Sequence, residues 1–387
     1  MFDHLQIYHP QERLAVGLAD LLLSPLSWLQ RARGSAPPRR ILLLRLERIG
    51  DLLMTREAIA RARAAWPDAS IDLAVGSWNA SLARWMPVDH VDVLDVPWLA
   101  REGTGASWPA LMAHARGWAS RRYDLVINFE PDIRSNLLAW LTSAPRRAGY
   151  WTGGGGALLT DALAYDPATH VADNAARLLA HLTPRAVTIA SPGPLRADDG
   201  ARAAADAVLS GVSPSARLVG VHVAGGRESK QWHLDRFAHV ARELADEDHV
   251  TVVLTGGPAD RPLVDRVARA LEGTPIVDAA GTLDLPGSAA LLERLDVLVT
   301  GDTGPMHLAA AMGTPVVALF GPSDPQRYGP VGDGHQVLRV QLPCSPCGQV
   351  RLPPERCRGH VPDCMDGITV ERVVAAARHV LRDGARR

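Results

Sequence analysis

Three stretches of the chain place ionisable side chains beside glycine just where an apolar run ends. The first is Arg45-Leu46-Glu47-Arg48-Ile49-Gly50-Asp51, directly after Ile41-Leu42-Leu43-Leu44. Gly50 lets the backbone turn tightly into a helix. Asp51 then falls near that helix's N-terminus, where Asp is also a favoured cap. The second runs from His222 to Trp232 and holds Gly225, Gly226, Ser229 and Lys230. Paired glycines expose backbone N–H groups and Lys230 adds a point charge, a combination suited to a diphosphate. A plain solvated loop has the same composition. Trp232 is expected to be a packing anchor. The third, Thr300 to Pro315, follows the apolar Val297–Val299. Pro305 fits the first turn of a helix, so the N–H groups of Thr303 and Gly304 point at an anion along the helix dipole. Asp302 repels phosphate, and its natural partners are sugar hydroxyls, which donate to a carboxylate. His307 lies four residues on from Thr303, on the same side, as a site residue or a core histidine bonded to backbone.

The elements that must position these loops read as two rounds of strand and helix alternation. Ile41–Leu44, Ile71–Val75, Val91–Val96 and Leu125–Phe129 are the strands of the first round. Leu218–Val223, Val250–Thr255, Ile276–Asp278, Val297–Val299 and Val316–Phe320 are those of the second. Such alternation implies doubly wound parallel sheets, with continuous apolar runs covered on both faces. Expected domains are an N-terminal extension over 1–38, an α/β domain over 39–195, a second over 196–350, and a cysteine-containing tail with a C-terminal helix over 351–387. Two such domains facing a central cleft would bring their motifs to the carboxyl ends of the strands, where open α/β sheets bind ligands. Gly153–Gly156 reads as a flexible loop.

In the extension, Leu14, Leu18, Leu21 and Leu22 form an apolar helical stripe that Pro25 ends or kinks. It is either packed on the body of the protein or laid on an anionic membrane face. The first is the expectation adopted, because an interfacial helix normally has more basic residues on its polar side. No stretch reads as a membrane span or a cleavable signal, so a cytoplasmic location is expected. With 387 residues, 47% hydrophobic composition and a formal net charge of -1, the chain is neither disordered nor a bulk nucleic-acid binder. All four cysteines, Cys344, Cys347, Cys357 and Cys364, lie in one late segment. A C-x-x-C plus two further cysteines can hold structural zinc; a redox-labile pair and reduced thiols are the alternatives. A single glycine in the first loop, where G-x-G-x-x-G needs three, argues against a nicotinamide oxidoreductase.

Taken together, "RLERIGD", "GRESKQW", "GTL" at Gly281–Leu283, "GDTGPMHLAAAMGTPVVALFGPSDP" and the late cysteines resemble glycosyltransferase family 9, the ADP-heptose:lipopolysaccharide heptosyltransferases. The resemblance covers roughly residue 40 onward and is strongest over Gly301–Pro325. It implies the two-domain GT-B fold and inverting, metal-independent transfer from an ADP-sugar to a lipopolysaccharide inner-core or other saccharide acceptor, with no cofactor. Asp51 matches the family's proposed catalytic base. Lys230 matches the lysine on the donor phosphates, Asp302 the aspartate holding the donor sugar, Thr303 and Gly304 the diphosphate site, and His307 the family histidine. Asp260 has a looser match to an acidic residue on the ribose. Where some members place phosphate-binding hydroxyls, this chain has Ala224, Gly225 and Gly226, so those contacts fall to backbone or Ser229. From position after a strand, Glu130, Pro131, Asp132, Arg134, Ser135 and Asn136 are expected to face the acceptor. Arg45 and Arg48 are expected to meet its acidic groups. The alternatives are a same-fold transferase with another donor or acceptor, a nucleotide-sugar epimerase, and a non-catalytic sugar-nucleotide binding protein. Peripheral contact with the inner face of the inner membrane is a further expectation.

Overall fold

Each apolar run that precedes a motif becomes a strand covered on both faces. In the computed structural model, which describes residues 2, 4–7, 9–29, 36–99, 105–183, 192–247 and 249–384, the chain divides into two compact units, Met1–Pro192 and Gly193–Arg387. The first unit holds β1 (Arg40–Leu44), β2 (Ser70–Val75), β3 (His90–Val93), β4 (Leu125–Asn128), β5 (Arg146–Tyr150) and β6 (Asp161–Leu163). They hydrogen-bond in the order β3-β2-β1-β4-β5-β6. The second holds β7 (Arg217–His222), β8 (Val250–Thr255), β9 (Ile276–Asp278), β10 (Val297–Gly301), β11 (Val316–Leu319) and β12 (Gln336–Leu338), ordered β12-β11-β10-β7-β8-β9. Every pairing is parallel. Renumbered within its own unit, the second order is the first one reversed, and both are that of a dinucleotide-binding sheet. The direction of winding therefore switches between β1 and β4 in one unit and between β7 and β10 in the other.

The central strands read directly from composition because they are buried on both sides: Ile41–Leu44 and Leu125–Ile127 are all fully buried. The edge strands β6 and β12 and the interior strand β5 escaped the sequence reading. Arg-Arg-Ala-Gly-Tyr, Asp-Ala-Leu and Gln-Val-Leu carry too few consecutive apolar residues to stand out. Strand β3 stops at Val93 rather than Val96. The second unit's core runs from Val219, Val221, Phe237 and Val252 to Met365, Ile368, Val373 and Val374 of the C-terminal segment. Trp232 is the anchor expected of it, fully buried with its indole N–H donating to the Ile368 carbonyl at 3.1 Å.

One expectation about the first unit is overturned. Gly153–Gly156 is a packed turn rather than a flexible loop. A Cβ on Gly153 would lie 1.8 Å from the Pro131 carbonyl oxygen, and one on Gly154 2.3 Å from Val16. The glycines are there because backbone must approach backbone. The N-terminal stripe forms a helix, Pro10–Leu23, ended before Pro25. It packs on the unit through Gly17 under the Phe2 ring, Val16 against Gly154, and Asp20, whose Oδ1 accepts from Gly155 N at 2.5 Å. Its leucines point the other way: Leu14 and Leu18 are 50% exposed, Leu21 57% and Leu22 83%.

Candidate active site

In the first unit the motif residues gather where β1 and β4 end. Asp51 occupies the first turn of the helix Ile49–Met54, and its Oδ2 accepts from Arg48 N at 3.2 Å, closing the helix start from inside. Its other oxygen, Oδ1, lies 3.7 Å from Arg45 Nη2. Arg45 is only 2% exposed. Its guanidinium donates to the Phe129 carbonyl at 2.7 Å and, through Nε, to the Asp51 carbonyl at 3.1 Å, and it pairs with Glu47 at 2.7 Å. The expectation that Arg45 meets an acceptor's acidic group is corrected here. Five rigid N–H donors buried among carboxylates and carbonyls are committed to holding the motif together.

Glu130, 1% exposed, accepts from Leu46 N across the end of β4. Burial pushes its carboxyl up to about 7 against the opposing pull of Arg45. Burial likewise raises Glu47, with Arg45 again opposing. One arginine thus faces Glu47, Asp51 and Glu130, and burial holds the Glu47 and Glu130 carboxyls above the usual carboxylate range. Trp78 Nε1 and Asn79 Nδ2 both donate to the Glu47 carbonyl at 2.8 Å, and the Arg48 guanidinium lies 5.2 Å from the centre of the Trp78 ring. Neither Trp78 nor Asn79 had a sequence signal, being 31 and 32 residues away from the group they hold.

Asp132 caps the helix Ile133–Leu141 through Arg134 N at 2.7 Å, and Arg134 pairs back onto it at 2.5 Å while lying 5.0 Å over Trp98. Both remain partly exposed. Ser135 and Asn136 do not face outward as expected. Both are fully buried with Asn128, which donates to Ser135 Oγ at 2.9 Å and to Asn136 Oδ1 at 2.8 Å. Asn136 in turn donates to the carbonyls of Tyr150 and Gly154. A buried amide must place its hydrogen bonds somewhere, and these tie the β4 loop to the glycine turn.

In the second unit the motifs meet where β7 and β10 end. Lys230 closes a short 3-10 turn, Glu228–Lys230, and its ammonium donates to the Asp302 carbonyl at 2.6 Å and to Asp302 Oδ2 at 3.0 Å. Thr303 stands in extended conformation before the helix Gly304–Met312, whose first turn has no side-chain cap. The Thr303 hydroxyl turns instead to Thr300 Oγ1 at 3.2 Å. His307 is buried one turn inside. Gly225 and Gly226 differ from expectation. Gly225 N already donates to Gln231 Oε1 at 2.8 Å, whereas Gly226 sits at φ +68° with open space beside it. Ser229 is buried and donates to the Val350 carbonyl at 3.2 Å, so its O–H is not presented to a phosphate. Asp260 accepts from Gly257 N at 2.8 Å and stays partly exposed. Near it, His222 at the end of β7 is held neutral by burial, which outweighs the attraction of Asp260, with Thr255 Oγ1 at 3.3 Å.

The cysteine segment holds four free thiols: Cys344 and Cys347 exposed, Cys357 partly so, Cys364 buried. Burial pushes Cys364 up to about 11, and the neighbouring thiols push the same way. Among the described residues no three His, Cys, Asp or Glu side chains are grouped so as to hold a metal ion. Two thiols face solvent while Cys364 packs beneath Gly321.

Two dinucleotide-type units in tandem, each with its ionisable loops at its own switch point, define a protein of the GT-B class. A model of glycosyltransferase family 9 (heptosyltransferase) matches residues 111–354, and the chain belongs to that family. It is similar to the lipopolysaccharide core heptosyltransferase OpsX of Haemophilus influenzae, at 22% identity over 78% of this chain and 85% of that one. Among solved structures it resembles the glycosyltransferase family 9 protein of Veillonella parvula, with a TM-score of 0.79 at 27% identity over 89% of this chain and 98% of that one. The ADP-heptose lipopolysaccharide heptosyltransferase II of E. coli superposes with a TM-score of 0.72 at 22% identity, over 89% and 99%.

Proposed function

We propose that the chain transfers a heptose from ADP-heptose to a hydroxyl of a lipopolysaccharide core or similar saccharide acceptor, with inversion and without a metal ion. The observation that carries this reading is Lys230 held on Asp302 at the mouth of the uncapped helix Gly304–Met312, at the β7/β10 switch point. A cation, the backbone N–H groups of Thr303 and Gly304, and a carboxylate suited to sugar hydroxyls together match a sugar diphosphate. The donor named for the E. coli relative and the core acceptor named for OpsX agree with it.

In this reading Asp51 accepts the acceptor hydroxyl's proton as that oxygen attacks the anomeric carbon. Such general-base help is worth about 10²–10⁴-fold. The leaving diphosphate gains charge as the bond breaks, and Lys230 with the helix N-terminus stabilises it. Asp302 orients the sugar, Asp260 takes the ribose, and Gly226 and His307 complete the donor side. Arg48, Asp132 and Arg134 contact the acceptor. Arg45 holds Asp51 in place rather than touching substrate.

The test is ADP release from ADP-heptose with and without a truncated lipopolysaccharide acceptor, in EDTA. Acceptor-dependent release is expected from the unmodified chain. Asp51→Asn is expected to lower turnover by at least about 10²-fold while donor affinity stays unchanged. Normal turnover by that variant would refute the base assignment. Release without any acceptor would favour an epimerase or hydrolase reading.

A further inference from the structure

The motif loops follow the carboxyl ends of their strands, yet the first unit also has a cavity at the opposite end of its sheet. It measures about 480 Å³ and lies where Arg40, Ser70 and His90 open β1, β2 and β3. That volume falls within the roughly 300–1,000 Å³ of small-molecule sites. Two strand carboxylates line it, Asp72 beside His90 in register and Asp92 beside Ala74. Strand positions covered on both faces are ordinarily apolar, and a carboxylate buried there is costly unless paired. The helix Trp108–Ser120 and the residues just after it supply the pairing. Arg121 Nη1 reaches Asp92 Oδ2 at 2.9 Å and Asp72 Oδ2 at 3.3 Å. The Tyr123 hydroxyl donates to Asp72 Oδ2 at 2.5 Å and the Trp118 indole N–H to Asp92 Oδ2 at 2.7 Å. His114 Nε2 lies 3.1 Å from Asp92 Oδ1.

Asp92 is thus engaged at both oxygens, and Asp72 at one. Asp72 is 5% exposed, yet its Oδ1 has no hydrogen-bond partner among the described residues. The same is true of Ser70 Oγ and the His90 ring, which line the same cavity. Buried polar groups are nearly always satisfied, and here the open ones converge on one space. We infer that this cavity is a second ligand site, for a neutral polyhydroxylated molecule the size of a single pyranose ring. Its lining sets two arginines, Arg40 and Arg121, against two aspartates. An anion would meet both carboxylates and an ammonium both guanidinium groups, so neither charge is favoured. Among the described residues no three His, Cys, Asp or Glu side chains are grouped to hold a metal ion. A lipid chain or nucleobase needs an apolar wall, and only Val91 and the Tyr123 ring offer one. Sugar hydroxyls both donate and accept. Neighbouring hydroxyls can donate to Asp72 Oδ1 while accepting from a guanidinium, with Ser70 and His90 in either role. The site is separate from Asp51, which lies past the carboxyl end of β1, and does not depend on the proposed reaction.

The experiment is saturation-transfer NMR on the full-length chain. Methyl α-mannopyranoside is the neutral probe, ethanolamine the cationic one and acetate the anionic one. Two variants accompany it: Asp72→Asn, which replaces the open carboxylate without changing its shape, and His90→Trp, which fills the cavity from an exposed position. The unmodified chain is expected to bind the mannoside in preference to both charged probes, and each variant to bind it at least about tenfold more weakly. His90→Trp leaves the buried pairs untouched, so it decides the matter if Asp72→Asn fails to fold. No mannoside signal from the unmodified chain would overturn the inference. So would equal affinity in the His90→Trp variant, or tighter binding of ethanolamine or acetate than of the mannoside. Binding is read without turnover, so its failure and failure of the proposed reaction are separate results.

Discussion

At the residue scale, the chemistry depends on which charges are committed to the fold and which remain for a ligand. Arg45 and Arg48 stand three residues apart in one loop and look equivalent in sequence, yet Arg45 is buried on Glu47 and Asp51. The proton balance around it gives a testable pH dependence. In the unfolded chain Glu130 ionises near 4.3, whereas burial lifts it to about 7 in the fold. Between those values the folded protein holds a proton that the unfolded chain has released. Its stabilising effect is therefore complete below the unfolded value and lost as pH rises through the folded one. Melting temperature is expected to fall from about pH 5 to about pH 7, and Glu130→Gln to flatten that slope in a thermal scan. On the donor side, Lys230→Ala removes a charge-assisted contact of about 1.5–3 kcal/mol. ADP-heptose binding measured by calorimetry is expected to weaken by about ten- to hundredfold. Unaltered affinity would remove Lys230 from the phosphate site.

At the element scale, strands and turns place these residues, and glycine marks the places where close approach is required. Gly313 ends the helix Gly304–Met312 at φ +90°, and a Cβ there would come 2.8 Å from Pro194 Cγ. Gly313→Ala is expected to destabilise the protein by about 1 kcal/mol or more, read as a lower denaturant midpoint with an unchanged slope. Gly225 is tighter still, since a Cβ would meet Gln231 N at 2.7 Å and Lys230 C at 2.9 Å. Gly225→Ala must therefore shift the Lys230 turn, and weaker nucleotide binding without general unfolding is the expected result. The central strands were legible because full burial leaves continuous apolar runs. The edge strands β6 and β12 were not, because partial exposure lets polar residues in, and the buried β5 was not, because two arginines and a glycine interrupt its apolar run. Likewise the Gly153–Gly156 run shows only composition in the sequence, and its packing against Pro131 and Val16 is a tertiary fact.

At the scale of the whole molecule, two units share one strand order, and each keeps its ionisable loops at its own switch point. Because Lys230 and a helix N-terminus are assigned the leaving charge, turnover is expected to persist in EDTA, and its loss on chelation with rescue by a divalent ion would refute that division of labour. Among the described residues no helix is long and apolar enough to cross a membrane.

The sequence by itself determined the class of fold, the family and the places where the motifs fall. Burial on both faces leaves its mark in continuous apolar runs, and a tight turn into a helix demands glycine at a set spacing. Only the tertiary structure decided which polar and charged side chains are spent. Arg45, Ser135, Asn136 and Ser229 have polar atoms taken by partners far along the chain or buried beside them. The same holds for the leucines of the N-terminal helix: a period in the sequence shows that they share a face, but Gly17, Val16 and Asp20 decide, by what they touch, that this face looks outward.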